Sequence, residues 1–172
     1  GFMPKRHHFV CRAAETSIAK AKRWLFQAFV GPRDAGVEKA RWVNKLIGLG
    51  PGLTPSGDDF LGGMMITLHA IGEHGLCSQL WPEIYQSAAV STNPISFTHL
   101  KAASEGMGSK CIHRAISDMT GGNAEAMFGS MMRINRIGHT SGWDTVAGIV
   151  LTFEVWLQAC GHQKDKIVNM VF

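Results

Sequence analysis

Residues 48–63 read Gly-Leu-Gly-Pro-Gly-Leu-Thr-Pro-Ser-Gly-Asp-Asp-Phe-Leu-Gly-Gly. Gly50, Pro51, Gly52 and Pro55 exclude a regular helix or a central strand over the first half. Ser56 to Asp59 has the composition of a helix start, with hydroxyl and carboxylate groups in the first turn. The stretch therefore reads as a tight turn that ends in a helix. The segment before it also reads as helix rather than strand, so it is no dinucleotide fingerprint, and no Gly-Lys-Ser/Thr follows to make a Walker loop. A glycine-rich turn entering a helix can bind an anion through converging N–H groups and the positive end of the helix dipole. It can equally be a capped helix after a short connection.

Downstream, a helix is expected over Asp58–His74, with Phe60, Leu61, Met64, Met65, Leu68 and Ile71 inward and Gly75 as its stop. Gly62 and Gly63 cost that helix about 1 kcal/mol each, which makes sense if a backbone or ligand passes closely. Upstream, Arg12–Val30 is helical with Ile18, Ala21, Leu25 and Ala28/Phe29 inward, and Gly31-Pro32 ends it. Asp34 caps a second helix through Ile47, with Val37, Ala40, Val43 and Ile47 inward. A fourth covers Leu76–Val90, or starts at Ser78 so that Pro82 falls in its first turn. Ser91–Phe97 reads as a loop. Ser96 or Thr98 then caps a helix with Leu100, Ala103 and Met107 inward. Cys111 to Met119 and Ala124–Arg136 follow as helices, the second with Met127, Phe128, Met131 and Met132 as core filler. The last helix runs from Trp143 to Cys160 on a stripe of Val146, Ile149, Val150, Phe153, Trp156, Leu157 and Cys160. Only Val168–Phe172 reads weakly as strand. The expected class is all-α: one domain over residues 1–172, of seven or eight helices.

The totals agree with one domain that buries much of its surface. Hydrophobic residues make up 45% and charged residues 17% of 172, and the charged share is below the usual quarter. Residues 1–50 carry ten Lys/Arg against three Asp/Glu, net +7, and residues 51–172 carry seven against ten, net −3. With no nucleic-acid motif, the basic excess reads as a solvated helix face rather than a nucleic-acid surface. Cys11, Cys77, Cys111 and Cys160 form no Cys-x-x-Cys pair and read as buried thiols in a reducing compartment. No run of about 18 apolar residues spans a membrane, and Gly1–Arg12 lacks the apolar core of a signal peptide. The expectation is a cytoplasmic chain whose first residues resemble the edge of a fragment.

Ser56-Gly57-Asp58-Asp59-Phe60-Leu61-Gly62-Gly63 returns, without gaps, as Ser141-Gly142-Trp143-Asp144-Thr145-Val146-Ala147-Gly148. The shared pattern is Ser-Gly-x-Asp-x-x-x-Gly, offset by 141 − 56 = 85 residues. Both copies stand at a loop-to-helix junction, with Thr54 and Thr140 just before them. The expectation is that the two helices pack through Gly62, Gly63, Ala147 and Gly148 and that the two motifs face one cleft. Helix N–H groups there, with Thr54, Ser56, Thr140 and Ser141, favour a carboxylate or phosphate. Asp59 and Asp144, as equivalent carboxylates, accept from an amide or ammonium group. Asp58, with Trp143 as its counterpart, takes a supporting role. Gly50, Gly52, Gly57 and Gly142 are further candidate substrate-binding positions in the two motifs. His139, beside the second copy, is a candidate general acid or base. The rivals are a divalent metal such as Mg2+ bridging Asp59 and Asp144, with no cofactor otherwise indicated, and two aspartates that only cap their helices. The remaining histidines, His69 and His74 among them, show no ligand spacing.

The segments 48–59 and Gly138-His139-Thr140-Ser141-Gly142-Trp143-Asp144 resemble the signatures of a bacterial family once listed as a domain of unknown function. That family is now associated with AllH, a subunit of oxamate carbamoyltransferase. Thr92–Gly106, with Ser96, Leu100 and Ala103, resembles its intermediate motif, so the likeness spans Lys45 to Leu157. Gly57 departs from members that carry histidine there. The resemblance implies a multi-subunit carbamoyltransferase of anaerobic allantoin breakdown, acting on oxalurate and phosphate to give oxamate and carbamoyl phosphate. It implies a small anionic substrate, other protein subunits as partners, and no nucleic acid or membrane. It also implies that this chain corresponds to the C-terminal helical part of a longer architecture. The alternatives are a non-catalytic assembly subunit that docks a partner through Lys20, Lys22 and Arg23, and a Mg-dependent hydrolase.

Overall fold

The computed structural model describes residues 5–31, 39–122, 124–137 and 140–171, and for residues 5–13 and 163–171 the backbone alone. The described residues form seven α-helices and one 3-10 turn, with no strand among them. The helices are α1 (Lys5–Val30), α2 (Ser56–Ala70), α3 (His74–Ser91), α4 (Pro94–Ser104), α5 (Lys110–Thr120), α6 (Ala124–Ile134) and α7 (Ser141–Val171). The 3-10 turn is Arg41–Lys45. The all-α class is as the sequence implies.

α2 is the central helix because it is apolar nearly all round: Phe60, Leu61, Gly63, Met64, Met65, Ile66, Thr67 and Leu68 are all buried. α7 packs along it most extensively, α4 and α3 cover other sides, and α1 lies against α7 and the 3-10 turn. α5 and α6 pair with each other. One hydrophobic cluster runs through the described elements, from Trp24 and Leu25 of α1 to Ile149 and Val155 of α7.

Several boundaries differ from the sequence reading. The described part of the second expected helix, from Lys39, is only the 3-10 turn, although Ala40, Val43 and Ile47 do point inward. Val37 lies outside the described residues. α2 stops at Ala70 rather than His74, because Gly72 takes the left-handed conformation at φ +82° and turns the chain. Gly75 is instead inside α3, which starts at His74 and carries Pro82 in its interior. The loop expected over Ser91–Phe97 shrinks to a short link. Asn93, not Ser96 or Thr98, caps α4: its Oδ1 accepts from the amides of Ile95 (3.0 Å) and Ser96 (3.1 Å). Met107 is exposed beyond the end of α4.

The buried stripes of α6 and α7 differ from those the spacing predicts. On α6 the buried positions are Ser130 and Ile134, while Phe128 (68% exposed) and Met132 face outward and Met127 and Met131 are half-buried. On α7 the buried stripe is Val146, Ile149, Thr152, Val155 and Ala159, and Val150 and Leu157 are exposed. The helix also runs through Cys160 and over Val168, so the weak strand pattern there is helical. Cys77 is buried and Cys111 and Cys160 are half-buried, so the thiol reading holds fully for one of the three described cysteines. No described helix is long and apolar enough to cross a membrane.

Candidate functional site

The two copies of the motif are built alike down to the backbone. In the first, the amides of Asp58 and Asp59 bond to Pro55 O (2.9 and 3.1 Å), and in the second those of Trp143 and Asp144 bond to Thr140 O (2.8 and 3.0 Å). The Gly57 amide reaches back to Leu49 O (2.9 Å), and the Gly142 amide to Ile137 O (3.2 Å). A Cβ at Gly57 would lie 1.9 Å from Leu46 O, and one at Gly142 would lie 2.4 Å from Ile134 O. Both motif glycines are therefore required by close approach of the preceding helical turn. That turn is shared as well. Leu49 bonds to Leu46 O as Ile137 bonds to Ile134 O, and Ile47 bonds to Val43 O as Asn135 bonds to Met131 O. The likeness therefore extends upstream of the eight residues matched in sequence. There the offset is 137 − 49 = 88 rather than 85, so the first connecting loop is three residues longer.

α2 and α7 meet reciprocally. A Cβ at Gly63 would stand 2.1 Å from Thr145 O, and a Cβ at Gly148 would stand 2.0 Å from Phe60 O. Thr145 follows Phe60 by 85 residues, as Gly148 follows Gly63, so each helix contributes the same pair of positions. That is the signature of a twofold-related contact within one chain. Of the four small residues expected at the crossing, Gly63 and Gly148 make it. Gly62 faces Ala103 of α4, and Ala147 is exposed.

This crossing brings the motifs to one cleft of about 550 Å³, lined from α2, α4, α5 and the start of α7. Thr54 Oγ1 and Ser141 Oγ, one from each motif, are 2.7 Å apart at its wall. Asp59 lies beside them. Burial is the main reason its carboxyl is pushed up from 3.8 to about 6. Hydrogen bonding to Ser141 and Thr54 pulls the other way, and the neighbouring charges of Asp144 and Asp58 add to the rise. Asp59 Oδ2 and Asp144 Oδ2 are both buried with no hydrogen-bond partner.

The expected residues separate into distinct roles. Thr54, Asp58, Asp59 and Ser141 line the cleft. Asp144 is near enough to act on Asp59 but is not among the lining residues. Asp58 is a buried clamp. Its Oδ1 accepts from the Gly48 amide (2.8 Å), and its Oδ2 accepts from the hydroxyls of Thr92 and Ser96 (2.6 Å for Ser96). Gly50, at φ +118°, lies against the backbone and side chain of Ser56 at the start of α2. Gly52 takes φ +96° in open space, and exposed Thr140 serves through its carbonyl. His139 lies outside the described residues. Three amides at each helix start are bonded to the chain's own carbonyls, so most donors expected for an anion are already in use.

The sequence reading missed the far wall. Ser96, Leu100 and Ala103 of α4 line the cleft, with His99, Ile66, Ile112 and Ile137. The signal was the Thr92–Gly106 segment, whose three quoted residues all prove to be wall. It also missed a histidine pair. His69 and His74 meet across the α2–α3 turn with their Nδ1 atoms 2.9 Å apart, and His69 Nε2 donates to Ser104 O at 2.9 Å. Five-residue spacing does not bring two histidines together on one helix, but a turn between them does. No group of three potential metal ligands occurs among the described residues.

No curated protein and no solved structure matches this chain. The model of one protein family, AllH, described as an oxamate carbamoyltransferase subunit, matches residues 46–153. That span holds both motifs, the α4 wall and every residue lining the cleft, and it covers well over half of the sequence; the chain belongs to the AllH family of oxamate carbamoyltransferase subunits.

Proposed function

We propose that the chain binds the carbamoyl-bearing substrate of a multi-subunit carbamoyltransferase in the cleft between the two motifs, with Asp59 as the group that handles the substrate's N–H proton. The observation that carries this reading is the Thr54–Ser141 contact beside Asp59, which joins both motifs at one cleft wall. The reaction implied by the family is carbamoyl transfer from oxalurate to phosphate. The bond from carbamoyl carbon to amide nitrogen breaks, a carbon–oxygen bond to phosphate forms, and the leaving oxamate nitrogen gains a proton. A carboxyl with a pKa of about 6 exists in both forms near neutrality, so it can give that proton and take one back. In this reading Asp144 tunes Asp59 through its charge, and Asp58 holds the loop. Thr54 and Ser141 orient the amide, and His139 is a further acid–base candidate. Degradation of allantoin in the cytoplasm is the metabolic setting that follows from the same reading.

The test is carbamoyl phosphate formation from oxalurate and phosphate, measured on the complex purified through this chain. Asp59→Asn is expected to lower the rate at least a hundredfold, and with Asp144→Asn to abolish substrate binding, while the helical circular dichroism is kept. Unchanged turnover in Asp59→Asn removes the reading. A non-catalytic assembly subunit is the second reading, favoured by the unpartnered apolar side chains of Phe128 and Met132 on α6 and Leu157 on α7. Its basic docking patch has less support, because Lys22 is ion-paired to Glu154 of α7.

A further inference from the structure

A substrate with an anionic end needs donors or positive charge in the cleft, and on the motif side most donors are spent. Three amides at the start of each of α2 and α7 bond to Leu49, Pro55, Ile137 and Thr140. The hydroxyls there are committed too, since each has one proton to give. Ser96 donates to Asp58 Oδ2 (2.6 Å), and Thr145 donates to Ser141 O (2.8 Å). Thr54 and Ser141 bond to each other (2.7 Å) and to Asp59. Charge is also against an anion on this side, because Asp58 and Asp59 both line the cleft.

The wall formed by α4 and α5 is different. His99 of α4 is exposed and lines the cleft. Among the described lining residues it is the one side chain that can carry positive charge. Its ring has no hydrogen-bond or ion-pair partner among the described residues. Ser109, at the start of α5, lines the cleft as well. Its hydroxyl does not cap the helix and lies 3.1 Å from Cys111 Sγ, a weak partner. An imidazole N–H can donate to a carboxylate, and a carboxylate beside it favours the protonated, positive ring. One such ring balances one negative charge. A phosphate dianion would keep an excess charge beside two aspartates.

Resting on the carbamoyltransferase reading, we propose that His99 holds the carboxylate of the oxamate-type substrate at the α4 side of the cleft, with Ser109 as a second donor. The amide end of the substrate then points toward Thr54 and Ser141. Phosphate takes its charged contacts from outside this chain's cleft.

The full chain, nitrogen-15 labelled, would be titrated with oxamate, with phosphate and with oxamide, in which an amide replaces the carboxylate. The amide signals of His99 and Ser109 are followed. Oxamate is expected to bind at least tenfold more tightly than oxamide or phosphate. His99→Gln should weaken oxamate at least tenfold and leave oxamide within twofold, and His99→Lys should restore most of the oxamate affinity. Circular dichroism checks the fold of each variant. Equal binding of oxamide, phosphate binding as tight as that of oxamate, no binding of oxamate, or an unaltered His99→Gln each overturns the proposal. Equal losses for oxamate and oxamide in His99→Gln also overturn it, since a structural role would give them. Transfer from carbamoyl phosphate to oxamate, measured on the complex purified through this chain, separates the two claims. His99→Gln is expected to raise KM for oxamate at least tenfold with kcat within threefold. Oxamate binding that depends on His99 with no transfer in the complex removes the carbamoyltransferase reading and leaves the carboxylate contact. Transfer with an unchanged KM in His99→Gln removes the contact and leaves the reading.

Discussion

The starts of α2 and α7 share a backbone and differ in what they do with it. In both, a serine opens the helix, a glycine lies under the preceding turn, and an aspartate one turn on has a buried oxygen without a partner. At α2 the residue before that aspartate is Asp58, which ties the loop to Gly48, Thr92 and Ser96. At α7 it is Trp143, half-exposed, with one bond from its indole nitrogen to Asn135. The longer first loop also carries Thr54 across to Ser141. The repeated frame is thus one-sided: Asp59 lines the cleft and Asp144 does not. Symmetry in the backbone serves packing here, and the departures from symmetry serve the site.

The largest effect is expected where the frame is most symmetrical. Gly63→Ala and Gly148→Ala each gain about 1 kcal/mol of helix propensity. Each also forces a Cβ to about 2 Å from a carbonyl oxygen of the facing helix. Because that neighbour is backbone and cannot rotate aside, each is expected to cost about 3 kcal/mol or more. Urea unfolding measures it, and losses that differ by more than about 1 kcal/mol would break the twofold equivalence. The next effect tests the asymmetry. Asp58→Ala leaves a partly buried amide and two hydroxyls without their acceptor, a loss of about 2–4 kcal/mol. Trp143→Ala at the matching position is expected to cost under about 1 kcal/mol. Similar losses at the two positions would show that the clamp is not specific to the first copy.

The smallest effect concerns Asp59. Its carboxyl is raised to about 6 from 3.8, chiefly by burial, so the folded chain holds that proton more tightly than the unfolded chain does. The stabilising contribution is complete below about pH 3.8 and is lost as pH rises through about 6. Above pH 7 the ionised group therefore weakens the fold, on the order of 1–2 kcal/mol after allowance for its partial exposure. Asp59→Asn should unfold at higher urea than the parent at pH 7.5 and at similar urea near pH 4. A variant that loses stability at pH 7.5 would mean that the Asp59 charge is satisfied within the fold.

Most of the fold was legible because helical spacing and glycine punctuation are local signals. Phe60, Leu61, Met64 and Leu68 had to face inward whatever packed on them, and they do. The failures are those of long-range packing. Val150 and Leu157 look as apolar as Ile149, and only the placement of α1 and α2 decides which of them is covered. The longer of the two spans expected for α3, from Leu76, is the one found, because the apolar stripe Leu76, Leu80 and Ile84 carries the helix through Pro82. For the site, the repeated motif pointed to one cleft shared by both copies, and Asp59 and Ser141 do line one cleft. It could not say which aspartate faces the cleft, because that depends on a three-residue difference in loop length and on where α4 lies. The use of the first-turn amides was hidden for a similar reason: their partners, Leu49 and Ile137, carry no side-chain signal for a backbone acceptor.

The glycine crossing has a mechanical meaning. Two backbones that meet with no room for a methyl group cannot slide past one another, so Asp59, Thr54 and Ser141 are set in a single rigid block. α4 and α5 form the opposite wall, and they are joined only by the short run 105–109 with its turning Gly106. The acid stands on that block, and Asp58, through Thr92 and Ser96, ties the start of α4 to it.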